Sequence, residues 1–198
     1  MEIRRVKKHD VDMTSGSVFR HLLNFAVPLL MGNIFQQLYN TVDTWVVGNY
    51  VSNEAFSAVG TVAPIINTLI GAFSGLASGA GVVISQYYGA GKYDRVRDAV
   101  HTAVMMTLVL SVAFTAIGIA MTPNMLRLMK TPAEVFPESR AYLNIYFSGM
   151  TGLMLYNMGA GILRAVGDSK RPFYYLVCAA VINTVLDLLF VIAFGMGV

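Results

Sequence analysis

The chain has 198 residues, of which 56% are hydrophobic and 13% charged, with a formal net charge of +3. A soluble domain carries about 25% charged residues, and a soluble helical bundle needs a charged stripe on each helix; Lys, Arg, Asp and Glu are missing from 55–91, 99–126 and 141–163, which excludes that class. The lone cysteine, Cys178, excludes an internal disulfide and a cysteine-built metal site.

About 20 apolar residues cross a hydrocarbon core of roughly 30 Å. The expectation is therefore an all-α polytopic membrane protein with five spans, at about 20–48, 55–88, 98–121, 139–163 and 172–195. Residues 1–19 form a polar N-terminal segment with no cleavable-signal pattern. Basic residues alternate between the two sides of these spans. Arg4, Arg5, Lys7, Lys8 and Arg20, then Lys92, Arg95 and Arg97, then Arg164, Lys170 and Arg171 make 11 of the 14. The excess of positive charge on the inner side predicts a cytoplasmic N-terminus in a multi-pass protein of the cell (plasma) membrane.

The first span carries Pro28, which removes a helical donor and predicts a kink. At 100° per residue, Asn33, Gln36, Asn40 and Asp43 fall within an arc of about 80°. Such a polar face looks into protein or water, not lipid. The amides serve interhelical hydrogen bonding or cavity lining. Asp43 points more sharply to function, because a carboxylate at membrane depth costs roughly 2.5–3.5 kcal/mol on insertion scales.

In the second span Gly71, Gly75 and Gly79 recur every four residues, a ridge that lets a helix approach closely; ordinary packing is the expected role. Its charge-free run is too long for an upright crossing, so tilt or an overhang is expected. His101 opens the third span at the interface. Segment 122–139 reads as an external loop punctuated by Pro123, Pro132 and Pro137, with Met125, Leu126 and Met129 on one face of a short interfacial helix. In the fourth span Tyr142, Tyr146 and Asn157 share an arc of about 60°, either lining a cavity for organic cations or packing.

In the fifth span Asn183 and Asp187 lie one turn apart on one face, with Cys178, read as a small buried residue, opposite. Asp43 and Asp187 are each about 10–12 Å inward from the outer ends of their spans, which permits a shared site. Two carboxylates in a poorly hydrated cavity cannot both ionise cheaply, so the pair would take up a proton. Alternatively, Asp43, Asn183 and Asp187 offer hard oxygen ligands to Na⁺. Residue types do not choose between H⁺ and Na⁺. No HExxH, GxSxG or Walker A pattern is present, so no enzyme is expected, and no cofactor, resident metal or nucleic-acid partner.

Four stretches carry a resemblance: PLLMGNIFQQLYNTVDTWVVGNYVSNEAFSAVG (28–60), SQYYGAGKYDRVRDAV (85–100), GILRAVGDSKRPFYY (161–175) and NTVLDLLFVIAFGMGV (183–198). In this order they resemble the N-terminal lobe of the multidrug and toxic compound extrusion (MATE) transporters. The resemblance implies antiport of cationic or amphipathic compounds against H⁺ or Na⁺. It also implies a twelve-helix fold of two six-helix lobes, with a cation site at the positions of Asp43, Asn183 and Asp187 and a helix-one proline, here Pro28, that bends. The chain holds five spans where such a lobe has six, so it reads as truncated, with a C-terminal lobe or partner chain expected from elsewhere. Open alternatives are a flippase or exporter of lipid-linked oligosaccharides from the same superfamily, and a non-transporting half-lobe.

Overall fold

The computed structural model describes residues 17–50 and 53–194. They form six α-helices and a terminal π-helix, with no strand among the described residues: α1 (Val18–Tyr50), α2 (Asn53–Gly89), α3 (Tyr93–Leu128), α4 (Phe136–Ser148), α5 (Met150–Ala165), α6 (Lys170–Asp187) and π-helix Leu188–Ala193. Segments Phe56–Gly89, Tyr93–Leu128 and Lys170–Val191 are each long and apolar enough to cross a membrane. The chain is a multi-pass membrane protein of the all-α class.

Packing sets the course of the helices. Val62, near the start of α2, shares a core with Leu126, near the end of α3, and with Leu143 of α4, Phe147, Met150 and Met154. Further along α2, Ala77 meets Ala103 and Met158. So α2 and α3 run antiparallel, while α4 and α5 run alongside α2. At the next reversal the Tyr156 hydroxyl reaches the carbonyl of Pro172 at 3.4 Å. Helix α1 reverses into α2 beside Phe56, whose ring lies 3.5 Å from where a Cβ on Gly48 would sit. Helices α1 and α6 are therefore parallel, and they pack on each other.

Three turns end helices in the same way. At Gly91, Lys130 and Gly167, φ is 68°, 54° and 87°. The following N–H bonds five residues back: Lys92 to the Tyr87 carbonyl (3.0 Å), Thr131 to Leu126 (3.1 Å) and Asp168 to Leu163 (2.9 Å). This is the Schellman arrangement, which satisfies the last helical carbonyls. The GDSKR stretch of the resemblance thus has a local physical role. Asp168 Oδ1 accepts the N–H groups of Lys170 and Arg171 at 3.1 Å each, and Oδ2 pairs with Arg171 Nε at 3.1 Å. One carboxylate starts α6 immediately after Gly167 has ended α5.

Several expectations are corrected. Segment 122–139 is loop only at 129–135, with helix at both ends. Helix α3 runs through Pro123 to Leu128, because Leu126 is fully buried and Met125 packs on the same core; that burial outweighs the one helical bond the proline lacks. The fourth span is two helices, broken at Gly149. The glycine ridge of α2 is no seam within this chain, since nothing lies within 4 Å of where a Cβ would stand on Gly71, Gly75 or Gly79. The close helix crossing is instead at Gly161, where a Cβ would lie 3.1 Å from the Ala77 carbonyl oxygen. Cys178 is exposed, not buried. Helix α2 outruns α5: Gly81 lies beside Gly161 and Ala165 at the end of α5, and α2 runs about 12 Å further to Gly89.

Two outcomes follow for thermal unfolding of the chain in detergent. Gly161→Ala should cost about 1–3 kcal/mol, since the new Cβ would press on the Ala77 carbonyl oxygen and Cβ and push two packed helices apart, whereas Gly75→Ala should cost nothing. Lys130→Gly should stabilise by about 0.5–1 kcal/mol, the left-handed penalty relieved less the extra entropy glycine loses.

Candidate cation and substrate site

Helix α6 seats on α1 where α1 is thinnest. A Cβ on Gly32 would lie 3.5 Å from Leu176 and 3.8 Å from Phe173, and Phe35 meets Phe173 edge-on at 5.9 Å. These contacts set residue 173 against 32–35 and residue 176 against 32. Carried up two parallel helices of equal rise, they place Asp187 level with about residues 43–49 of α1. The π-helix following Asp187 also packs on α1. Asp43 belongs to α1, but its side chain lies outside the described residues, and with it the expected pairing of the two carboxylates.

Asp187 is the last residue of α6, half-buried, and the chain widens into π geometry at the next residue. Such widened turns recur at functional sites. One turn earlier, the Oδ1 of half-buried Asn183 is itself buried and has no hydrogen-bond partner. A buried acceptor left unpaired costs about 1–3 kcal/mol, so this oxygen is poised for a cation or a proton donor. Among the described residues the one ion pair is Arg171 with Asp168, and no basic side chain neutralises Asp187.

The amide face of α1 is only partly inward. Gln36 is half-buried, while Asn33 and Asn40 are exposed. Pro28 is half-buried inside a helix that continues past it. Asn40 borders an open groove of about 570 Å³, with Gln37, Thr41, Thr44, Trp45, Gly48 and Asn49 of α1 and Phe56 of α2. The hydroxyls of Thr41 and Thr44 donate to the carbonyls of Gln37 and Asn40 at 2.8 Å, and Asn49 donates to Trp45 at 2.8 Å. The two hydroxyl donors are spent within the helix, and the oxygens of Thr41, Thr44 and Asn49 remain as acceptors. The sequence arc of Asn33, Gln36, Asn40 and Asp43 meets this groove, among the described residues, only at Asn40, the rest of the groove lying further round the helix; the adjacent Gln36–Gln37 pair was the available signal. Helix α2 continues the polar surface, with Asn67, Thr68, Ser74, Ser78, Ser85 and Gln86 all exposed along the glycine ridge.

On the fourth span Tyr142 and Tyr146 are half-buried and pack against the Val62–Leu126–Phe147 core. Tyr146 is also within electrostatic reach of Tyr142 and of Tyr39 on α1, and Tyr156 within reach of Tyr39. Tyr39 was not singled out from the sequence, because its aromatic ring on an apolar helix carried no signal apart from packing. Asn157 does not join this group by helical phase, since the break at Gly149 interrupts the assumed arc, and its amide donates to the Leu153 carbonyl at 2.9 Å.

Comparison with known proteins identifies the family and the fold. The MatE family profile matches residues 28–189. The chain is 33% identical over 187 residues to the probable multidrug resistance protein YpnP of Bacillus subtilis (strain 168), covering 94% of this chain and 42% of the relative. It is 38% identical over 170 residues to the probable multidrug resistance protein YoeA of the same organism, covering 86% and 37%. A solved outward-facing multidrug resistance MATE family transporter of the MOP superfamily superposes with a TM-score of 0.86 at 26% identity, over 92% of this chain and 40% of that one. The chain thus spans about two fifths of the length of the proteins it matches. By sequence and by fold, the chain belongs to the multidrug and toxic compound extrusion family and corresponds to its N-terminal lobe.

Proposed function

We propose that this chain is the cation-coupling lobe of an antiporter that exports organic cations or amphipathic compounds, with H⁺ or Na⁺ as the driving ion. The observation that carries the reading is the unpaired, buried Asn183 oxygen one turn from the half-buried Asp187, on a helix seated against α1. In a membrane lobe with no described basic residue beside it, Asp187 is stabilised by a bound cation or by protonation. Asp43 of α1, at the level where Asp187 is carried, supplies the second carboxylate of this proposed site. Uptake of the ion removes a net negative charge between α1 and α6, and release restores it. The two states therefore differ in how strongly these helices attract water and each other.

The substrate side of the proposal is the groove on α1 and α2. Its acceptor oxygens and the rings of Trp45 and Phe56 suit a cationic, partly apolar compound. Polar residues along α2 cannot face hydrocarbon cheaply. A second lobe, contributed by the remainder of a longer chain or by a partner chain, covers them and closes the substrate path. Alternating access then comes from the two lobes moving against each other. In this proposal the N-terminus is cytoplasmic and the protein resides in the cell membrane, as the distribution of basic residues favours.

The test is gradient-driven efflux of ethidium from vesicles holding the chain together with its second lobe. Asp187→Asn should lower efflux about tenfold or more while insertion and ethidium binding persist. Unchanged efflux under both an imposed H⁺ and an imposed Na⁺ gradient would remove Asp187 from coupling. In the same vesicles Gly75→Leu should block transport by filling the α2 face. The isolated chain should tolerate it, because the space over Gly75 is open.

A further inference from the structure

The break in the fourth span needs a cause. Gly149 sits at φ −82° and ψ −4°, which any residue can adopt, so glycine's conformational freedom does not produce it. The Gly149 N–H is divided between the carbonyls of Ile145 at 3.1 Å and Tyr146 at 3.2 Å, a tightening of the helical ladder.

The neighbouring helix α3 grips Phe147, two residues before the break, at two points. The Thr115 hydroxyl donates to the Phe147 carbonyl at 3.0 Å. The hydroxyls of Thr41, Thr44, Thr68, Thr102, Thr107 and Thr122 all turn back on their own helix, four residues earlier, at 2.8 Å. Thr115 departs from that habit and reaches across to another helix. One turn on, buried Gly118 receives the ring of Phe147 so closely that a Cβ there would fall on the ring atoms. Phe147 is only 1% exposed. Carbonyl and ring of one residue are held by i and i+3 positions of one helix face. A side chain entering the hydrogen-bond ladder is a known cause of helix bending.

Tyr142 and Tyr146 lie on the α4 side of this joint, and Tyr146 is the residue immediately before Phe147. We infer that Thr115 and Gly118 are positioning residues: by gripping Phe147 they set the angle of the break, and through it the direction in which α4 carries Tyr142 and Tyr146 within the lobe. The joint stands on the geometry alone; its bearing on ligand rests on the substrate reading proposed above.

The experiment is a distance measurement between spin labels on Ala141 (α4) and Leu38 (α1), both exposed, in the Cys178→Ala chain together with its second lobe in lipid nanodiscs. Thr115→Val keeps the shape and removes the donor. From the break to Ala141 is eight residues, about 12 Å, so relaxing a 20° kink moves that end by about 4 Å. The expected result is a shift of about 2 Å or more in Thr115→Val and in Gly118→Ala, and the original distance in Thr115→Ser. An unchanged distance in folded Thr115→Val overturns the joint, and Thr115→Ser guards against an effect of substitution as such. Binding of tetraphenylphosphonium to the same samples is the second readout. The expected result is a severalfold weaker affinity in Thr115→Val, restored in Thr115→Ser. Unaltered affinity beside a shifted distance overturns the presentation of the tyrosines. Failure of the unsubstituted chain to bind tetraphenylphosphonium overturns the substrate reading instead, and the distance still decides the joint.

Discussion

In hydrocarbon a backbone N–H or C=O has no water to turn to, so each must be satisfied within the protein. Most irregular features of this lobe are answers to that demand. Three helix ends close with the same pair of backbone bonds, and one of them forces Lys130 into a left-handed conformation to do so. Asp168 supplies acceptors to the first N–H groups of α6 where no backbone partner exists. Proline stands inside α1, α2 and α3 without ending any of them, because packing on either side holds the helix together across one missing bond. At Gly149 the fourth span bends, and a threonine from the next helix bonds the carbonyl at the bend.

The same demand makes the remaining polar atoms informative. Four buried side-chain oxygens among the described residues have no hydrogen-bond partner: those of Thr131, Ser139, Asn144 and Asn183. Asn183 alone of these stands one turn from an acidic residue within its own helix, and that helix is the one seated on α1. The exposed polarity is equally one-sided. Phe73, Ala77 and Ile84 of α2 are buried, while Asn67, Gly71, Ser74, Gly75, Ser78 and Gly79 are exposed along the opposite side.

Much of this was legible from the residues. Charge-free runs located the helices to within a few residues at most ends, since the cost of inserting Lys, Arg, Asp or Glu is large enough to mark the boundaries. Asn183 and Asp187 were legible because amide and carboxylate at depth have few structural uses. Tyr39 was not, because a tyrosine satisfies both packing and polar roles and only its neighbours distinguish them. The end of α3 was misread because proline signals a stop by local rules, and burial of Leu126 against α2 and α4 overrides that signal.

The sequence by itself determined the all-α membrane class and the placing of Asp43 and Asp187 on apolar helices, both of which follow from transfer free energies that act residue by residue. Tertiary structure decided what depends on two helices at once. The Gly71–Gly79 ridge and the Gly161 crossing look alike as small-residue patterns, yet one faces open space and the other meets the Ala77 backbone. The break at Gly149 likewise has no local cause in its own helix; it comes from Thr115 and Gly118, some thirty residues away in the chain. Helical periodicity says which residues share a face, and only packing says what that face meets.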